Sequence, residues 1–134
     1  EMEAPMRQAL ARHGLGGRAV FAGVQSDVPA YMNAFDVFLL PSNFEGSPVT
    51  LVEAQGCGVP GLASTNVPPD GAVTDLVHFL PLDAPLAEWA ATARAIAGQG
   101  PHTGRWAELE AAGYELHTAA RRMEQLYDQL GGRA

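Results

Sequence analysis

The sequence predicts an α/β protein with a parallel sheet of about four strands flanked by helices. Apolar runs alternate with helical patterns along the chain, and the stretch 36–41 is apolar at nearly every position. Such a continuous run is typical of a strand that is covered on both faces, as in a parallel sheet. The chain has 134 residues, 47% of them hydrophobic, which suits one domain with its own core. We therefore expect a single domain over 1–134, built from right-handed crossovers.

The first part of the chain alternates helix and strand. We predict helices over 5–12 and 29–34 and strands over 19–22 and 36–41. The first helix presents apolar side chains on one face and ends before Gly14, a residue type that favours helix ends. The strand over 19–22 stops at Gly23. Asp27 is placed to cap the second helix, and Pro29 suits its first turn.

The remaining elements follow the same alternation. We predict a helix from about Ser47 to Gln55, strands over 59–64 and 77–80, a turn over 68–71, and helices over 85–97, 104–112 and 114–130. The strand over 59–64 is weakened at its entry by Pro60 and Gly61. The last helix carries an apolar stripe, formed by Leu116, Ala119, Ala120, Met123, Leu126, Tyr127 and Leu130. Two interpretations of this stripe are open: it packs on the chain's own sheet, or it is left exposed and drives self-association.

The charged residues exclude several functions. Fifteen acidic residues against eight basic ones give a formal net charge of −7, and every basic residue is Arg. Without Lys the chain has no Walker-type phosphate loop, no Schiff base and no catalytic lysine. The acidic balance argues against nucleic acid as a partner. Cys57 is the only cysteine and the four His lack ligand spacing, so we expect no disulfide and no metal.

Isolated residues of reactive or aromatic types are interpreted as structural. We expect Cys57 to be a buried small residue, His78 to lie in a strand, His102 to be exposed in a loop, and Trp89, Trp106 and Tyr127 to belong to the core. No stretch approaches the roughly 20 apolar residues that a membrane helix needs. We therefore expect a cytoplasmic protein without a membrane span.

The loop Phe44–Gly46 and the helix after it carry the predicted site. Ligands of open α/β sheets bind beyond the carboxyl ends of the strands, and a helix N-terminus offers free N–H groups to an anion. Ser47–Thr50 is therefore a candidate phosphate site. Glu45 and Glu53 flank it; as purely structural groups they would be a charge favourable to the helix dipole and a solvated carboxylate. The apolar neighbours of Glu53 favour a function, because a carboxylate in such surroundings needs a hydrogen-bonding partner.

Four stretches of the sequence resemble a known family. They are Val20–Gly23, Val28–Ser42, Phe44–Gly46 and Leu51–Pro60. Together they resemble the C-terminal domain of retaining GT-B glycosyltransferases of the family 4 type, in which two glutamates stand in the contexts E-G and E-A-Q. Residues 64–67 and 74–82, Trp89 and Gly113-Tyr114 resemble the branch that builds capsular polysaccharides and exopolysaccharides. The resemblance covers roughly residues 18–130 and implies a Rossmann-like sheet in a partial GT-B domain.

This resemblance implies that the chain binds a nucleotide diphosphate sugar for retaining glycosyl transfer in polysaccharide biosynthesis. Glu45, the implied catalytic residue, would face the hydroxyls of the donor sugar, and Glu53 would accept hydrogen bonds from the ribose. The amides of Val49 and Thr50 would hold the diphosphate. The implied donor-binding set is Gly23, Gln25, Asp27, Glu45, Gly46, Ser47, Pro48, Val49, Thr50 and Glu53. No metal or other cofactor is expected.

Two departures from the family pattern shape this hypothesis. Family members usually carry an Arg and a Lys near the first strand of this domain, whereas no basic residue lies between Arg18 and Arg94. The simplest explanation is that the chain begins after that pair, without the N-terminal acceptor domain, and we expect it to be inactive alone. Val67–Asp70 also replaces a Gly-Gly turn of better-known members.

Other interpretations stay open at this point. An alternative interpretation is that the chain is a non-catalytic α/β module that binds a partner protein or a regulatory nucleotide. The fragment would self-associate through its last helix or through an open strand edge. The full-length protein would be cytoplasmic or peripheral to the inner face of the membrane.

Overall fold

Three short parallel strands organise the fold. The computed structural model describes residues 2–100 and 103–131. The strands are β1 (Phe38–Leu40), β2 (Gly61–Ser64) and β3 (Val77–Leu80), and the helices are α1 (Glu3–Arg12), α2 (Val28–Met32), α3 (Val49–Gly56), α4 (Leu86–Ala97), α5 (Trp106–Ala112) and α6 (Leu116–Gly131). Single 3-10 turns lie at Gly16–Arg18 and Pro69–Gly71. The predicted α/β class is confirmed.

The sheet has the order β1-β2-β3, with both pairs parallel. Phe38 is in register with Gly61 at one end, and Ser64 with Leu80 at the other. Helix α3 makes the crossover from β1 to β2, whereas the connection from β2 to β3 contains only the 3-10 turn at Pro69–Gly71. All four residues of β2 are buried, as expected of the central strand in a parallel sheet.

The predicted strand over 19–22 is wrong. Residues 19–22 form no strand and pair with no strand among the described residues, and Val20 is 89% exposed. The Arg7 guanidinium lies 4.1 Å from the centre of the Phe21 ring instead. An apolar run favours a strand, but a strand also needs a partner edge for its backbone groups. The sheet described here therefore has three strands rather than about four.

Helix α3 has more buried residues than any other helix that the structure describes. Five of its residues are buried: Leu51, Val52, Ala54, Gln55 and Gly56. Ala54 packs with Met32 of α2 and with Val59. Leu51 packs with Ala63 and Val67 on the sheet. Both clusters of buried side chains therefore depend on α3, which fixes this helix against the strands.

Helix α5 reaches the end of α3 because Gly56 has no side chain. A Cβ at Gly56 would lie 2.8 to 3.0 Å from three atoms of the Trp106 ring. Trp106 nevertheless remains 62% exposed and Tyr127 is 68% exposed, so the prediction that both belong to the core is wrong. Each lies on a helix with little or no buried surface, where the apolar pattern alone does not bury a ring. Trp89 is half-buried, and its ring N–H donates to the Pro81 carbonyl at 3.0 Å.

Helix α6 does not pack on the sheet. None of its residues is buried, and its apolar stripe, from Leu116 to Leu130, is exposed along its whole length. The first alternative, packing on the chain's own sheet, is therefore wrong, and self-association stays a prediction. An amphipathic pattern indicates that a helix has a face to cover, but it does not identify what covers it.

Glu115 caps α6, and we expect acid to loosen this helix. The carboxylate accepts hydrogen bonds from the backbone N–H groups of His117 (2.9 Å) and Thr118 (2.7 Å). These bonds lower the pKa of Glu115 from 4.5 to about 2. Because the folded pKa lies below the ordinary one, the stabilisation is present above the ordinary value and is lost as the pH falls through the folded one.

We therefore expect the helical far-UV circular dichroism signal to decrease as the pH is lowered from about 5 to about 2. Part of this decrease should be absent in Glu115→Ala, which lacks the titrating carboxylate. A helix without buried residues is marginal and depends on its caps. Glu124→Ala, at an exposed position of α6, is the control and keeps this part of the transition. Identical acid transitions in the chain and in Glu115→Ala would contradict the prediction.

Candidate functional site

Two serines fix the loop at the carboxyl ends of β1 and β2. Ser64, the last residue of β2, is fully buried, and its hydroxyl donates to the Ser42 carbonyl. The Ser42 hydroxyl in turn donates to the Phe44 carbonyl at 3.0 Å. This chain of hydrogen bonds ties the loop 41–48 to the sheet. Glu45, which is half-buried in this loop, therefore lies at the edge where ligands of parallel sheets bind.

The first turn of α3 begins beside this loop and has no side-chain cap. Pro48 precedes the helix and is buried, and its carbonyl accepts the Leu51 N–H at 2.9 Å. The Val49 N–H donates to the Ser47 carbonyl at 2.9 Å, whereas the Thr50 N–H has no acceptor within the described ranges. An anion would bind Thr50 directly, but at Val49 it would have to displace a carbonyl.

Helix α3 shows solvent a single narrow stripe. Val49 is 57% exposed, Thr50 is exposed and Glu53 is half-buried. Residues at this spacing lie on one face of a helix, and the other five residues of α3 are buried. Glu45 and Glu53 take part in no ion pair in the part of the chain that is described. Both carboxylates are therefore available as acceptors for the hydroxyls of a ligand.

The turn at 23–27 contains the other predicted donor-binding residues. Gly23 has a φ of 66°, and the Gln25 side chain donates to the Ala22 carbonyl. Asp27 accepts the Ala30 N–H at 3.1 Å, which confirms it as the cap of α2. No hydrogen bond within 2–100 joins this turn to α3 or to the loop 41–48. The predicted residues of 45–50 and Glu53 lie in the loop 41–48 and in α3, which follow each other directly, and the role of Gly23, Gln25 and Asp27 stays a prediction.

Gln55 is a residue whose importance the sequence did not predict. It is fully buried, and its amide bonds α3 to the segment before β3, through Gly71, Val73 and Thr74. The signal in the sequence is an amide side chain next to the apolar residues of α3, whose other polar side chains are Thr50 and Glu53. A buried polar side chain of this kind needs partners, but its partners cannot be identified from a helical pattern.

Cys57 follows α3 and is half-buried rather than buried as predicted. Burial, and secondarily the Glu53 carboxylate, raise the pKa of the Cys57 thiol. A thiol with a raised pKa is protonated at neutral pH, whereas the nucleophilic form is the thiolate. The structure therefore supports the interpretation of Cys57 as a structural residue.

His78 is half-buried in β3, in register with Leu62, as predicted for a strand histidine. His102 lies outside the described residues. In 2–100 and 103–131, no three His, Cys, Asp or Glu side chains are grouped as metal ligands would be. No helix in those ranges has the length and hydropathy that crossing a bilayer requires.

Residues 1–97 match the family model for Glycosyl transferases group 1. The chain belongs to this family. The match runs from α1 to the end of α4 and so includes the loop 41–48 and all of α3. The resemblance inferred from the sequence is confirmed at the level of this family. Helices α5 and α6 follow the matched residues.

Named members of the glycosyltransferases are similar to the chain over part of its length. It is 42% identical over 84 residues to "Putative glycosyltransferase EpsF" of Bacillus subtilis (strain 168), a match covering 61% of the chain and 22% of that protein. It is 36% identical over 75 residues to "Lipopolysaccharide core biosynthesis mannosyltransferase LpsB" of Rhizobium meliloti (strain 1021), covering 56% and 20%.

A third relative, from Escherichia coli, is named "UDP-Gal:alpha-D-GlcNAc-diphosphoundecaprenol alpha-1,3-galactosyltransferase" and is 43% identical over 47 residues, which are 35% of the chain and 12% of that protein. The matches thus span about a fifth or less of each glycosyltransferase. No solved structure matches the chain significantly.

Proposed function

We propose that the chain binds the nucleotide diphosphate sugar for a retaining glycosyl transfer. The observation that carries this proposal is the open first turn of α3, with Thr50 and Glu53 on one exposed stripe next to the loop of Glu45. The stripe lies at the carboxyl edge of the sheet, where nucleotide ligands of α/β folds bind. Membership of a glycosyltransferase family supports the same assignment.

The proposed donor lies along the stripe. Its diphosphate accepts a hydrogen bond from the Thr50 N–H at the positive end of the helix dipole. The ribose hydroxyls donate to Glu53, about one helical turn further along α3. No basic side chain occurs between residues 36 and 64. Within this segment the positive end of the α3 dipole therefore compensates the negative charge of the phosphates.

The sugar lies toward Glu45 in this proposal. Its hydroxyls donate to the Glu45 carboxylate, which orients the anomeric carbon for attack by an acceptor hydroxyl. The bond between the anomeric carbon and the diphosphate oxygen then breaks, and the acceptor oxygen forms the new glycosidic bond with the original anomeric configuration. The proton of the acceptor hydroxyl passes to the departing diphosphate. The first turn of α3 stabilises the negative charge that develops on the departing diphosphate. Glu45 acts by positioning here, and it is not assigned as nucleophile or base.

The setting of the reaction is proposed from the relatives. Two of their names refer to a lipopolysaccharide core and to a diphosphoundecaprenol-linked sugar. We extend these to a polysaccharide or lipid-linked saccharide as the acceptor class of this chain. The names of these two relatives specify different sugars, so experiment has to identify the nucleotide and the sugar that this chain binds.

Isothermal titration of the 134-residue chain with UDP, GDP, uridine and guanosine tests the proposal. We expect one diphosphate to bind at least about tenfold more tightly than its nucleoside, because a charge-assisted hydrogen bond contributes about 1.5 to 3 kcal/mol. Adding a sugar to that diphosphate should retain the affinity. Equal affinities for nucleoside and diphosphate, or no binding of any of them, would refute the proposed site.

A further inference from the structure

Gln55 is fully buried near the end of α3, and every hydrogen-bonding group of its side-chain amide is used. Its nitrogen donates to the carbonyls of Leu51 (2.9 Å) and Gly71 (2.7 Å). Its oxygen accepts from the N–H groups of Val73 (3.0 Å) and Thr74 (2.9 Å) and from the Thr74 hydroxyl (3.0 Å). A fully satisfied buried amide holds its partners in one arrangement, because each broken bond would leave a polar group without a partner.

The partners of Gln55 belong to the connection between β2 and β3, which contains no α-helix of its own. The Thr74 hydroxyl also accepts the Leu76 N–H at 3.2 Å, and the Leu76 carbonyl accepts the Gly61 N–H at 2.9 Å, where β2 begins. The hydrogen bonds of Gln55 therefore order a segment, Gly71–Leu76, that leads directly into the sheet.

This segment also touches the other end of α3. Gly71 is buried and lies so close to the Pro48 ring that a Cβ at Gly71 would overlap it. Pro48 immediately precedes the first turn of α3, whose Thr50 N–H is open. The two ends of α3 are thus held by one segment, Gln55 at the carboxyl end and Pro48 at the amino end.

We propose that Gln55 is a positioning residue for the donor site. By holding Gly71 against Pro48, its amide fixes the first turn of α3 in the geometry that receives the diphosphate. This inference rests on the proposed function. It assigns to Gln55 an effect on ligand affinity that is separate from its effect on folding, although Gln55 itself lies on the buried side of α3 and does not touch the ligand.

Gln55→Glu tests the inference, because it changes the hydrogen bonds and keeps the size. The ionised carboxylate can still accept from Val73 and Thr74, but it places an oxygen against the carbonyls of Leu51 and Gly71. The protonated acid has an O–H that can donate to Gly71, so it resembles the amide. Burial raises the pKa of a carboxyl group. The charged side chains on α3 and on the segments that contact Gln55 are Glu53, Asp70, Asp75 and Arg105. Arg105 is paired with Asp75 at 3.0 Å and with Glu108 at 2.8 Å.

The measured quantity is the ratio of the variant's Kd to that of the unmodified chain at each pH, with UDP and GDP as probes. The ratio cancels the titration of the phosphate itself. We expect it to be about tenfold or more near pH 9 and to be smaller near pH 6, because burial favours the protonated form of the introduced acid over its ionised form. Hydrogen exchange at the Val73 and Thr74 amides should be faster in the variant near pH 9 only.

Two further variants complete the experiment. Gln125→Glu makes the same change at an exposed position of α6 and should give a ratio near one at both pH values. Thr74→Val removes one donor to Gln55, together with the acceptor of the Leu76 N–H, without adding a charge. It should weaken binding about two- to fivefold with no recovery at low pH. Thermal unfolding of each variant establishes that affinities are measured on folded protein. If Gln55→Glu is unfolded near pH 9, Thr74→Val decides, and unchanged affinity there refutes the inference.

The outcomes separate the two proposals. If the unmodified chain binds neither probe, the proposed function is overturned and the role of Gln55 falls with it. If the unmodified chain binds a probe and folded Gln55→Glu binds it equally well near pH 9, the positioning role is overturned while the donor site stands.

Discussion

Glu53→Gln is expected to weaken the binding of the preferred nucleoside diphosphate by about 10- to 100-fold, because a hydrogen bond to a charged group contributes about 1.5 to 3 kcal/mol. Glu53 lies on the exposed stripe of α3 with Val49 and Thr50, and it takes part in no ion pair among the described residues. Its carboxylate is therefore available to accept two ribose hydroxyls. The amide introduced by the substitution would offer one acceptor oxygen and present an N–H group to the other hydroxyl.

Nucleotides that lack ribose hydroxyls identify the cause of this effect. The chain should bind the 2′,3′-dideoxy diphosphate about as weakly as Glu53→Gln binds the ordinary one, and combining both changes should cost little more. Glu110→Gln, at an exposed position of α5, is the matched control and should leave affinity unchanged. If Glu53→Gln weakened the dideoxy ligand as much as the ordinary one, Glu53 would not bind the ribose.

The sequence predicted the elements whose signals are local. The cap of α2 at Asp27 follows from one side chain and the turn beside it. The strand over 77–80 was predicted at the bounds the structure gives. The prediction of a strand over 19–22 is wrong for the opposite reason, since a strand forms only where a second strand offers an edge. What covers the apolar stripe of α6 could not be predicted for a similar reason. Helical periodicity indicates that a helix has an apolar face, but it does not identify the surface that packs on that face.

The candidate site shows the same division. That Glu45 precedes α3 and that Glu53 shares a face with Thr50 follow from the order of elements and from helical spacing. The hydrogen bond from the Val49 N–H to the Ser47 carbonyl depends on the turn before the helix. The network of Gln55 depends on partners 16 to 19 residues further along the chain. Such contacts are set by the packing of the connection between β2 and β3, which no local pattern specifies.

Leu51→Ala should lower the free energy of unfolding by about 3 to 5 kcal/mol, the upper range for a buried leucine. Leu51 is fully buried and packs with Ala63 and Val67, and its Cδ1 would lie 2.5 Å from a Cβ at Gly61. Residues as small as glycine and alanine cannot extend into the space that the leucine leaves, so a cavity remains. Because small domains are stable by only about 5 to 15 kcal/mol in total, this loss is a large part of the whole.

Urea unfolding followed by circular dichroism measures the effect of Leu51→Ala, with Leu86→Ala as the matched control. Leu86 starts α4 and is 87% exposed, so its truncation should change the free energy of unfolding by less than about 0.5 kcal/mol. Equal effects of the two variants would show that α3 does not anchor the core. Since Leu51 adjoins Thr50 in α3, Leu51→Ala should lose nucleotide binding together with its fold, whereas Glu53→Gln should lose it while folded. That contrast separates the buried side of α3, which packs on the sheet, from the exposed stripe, which is proposed to bind the ligand.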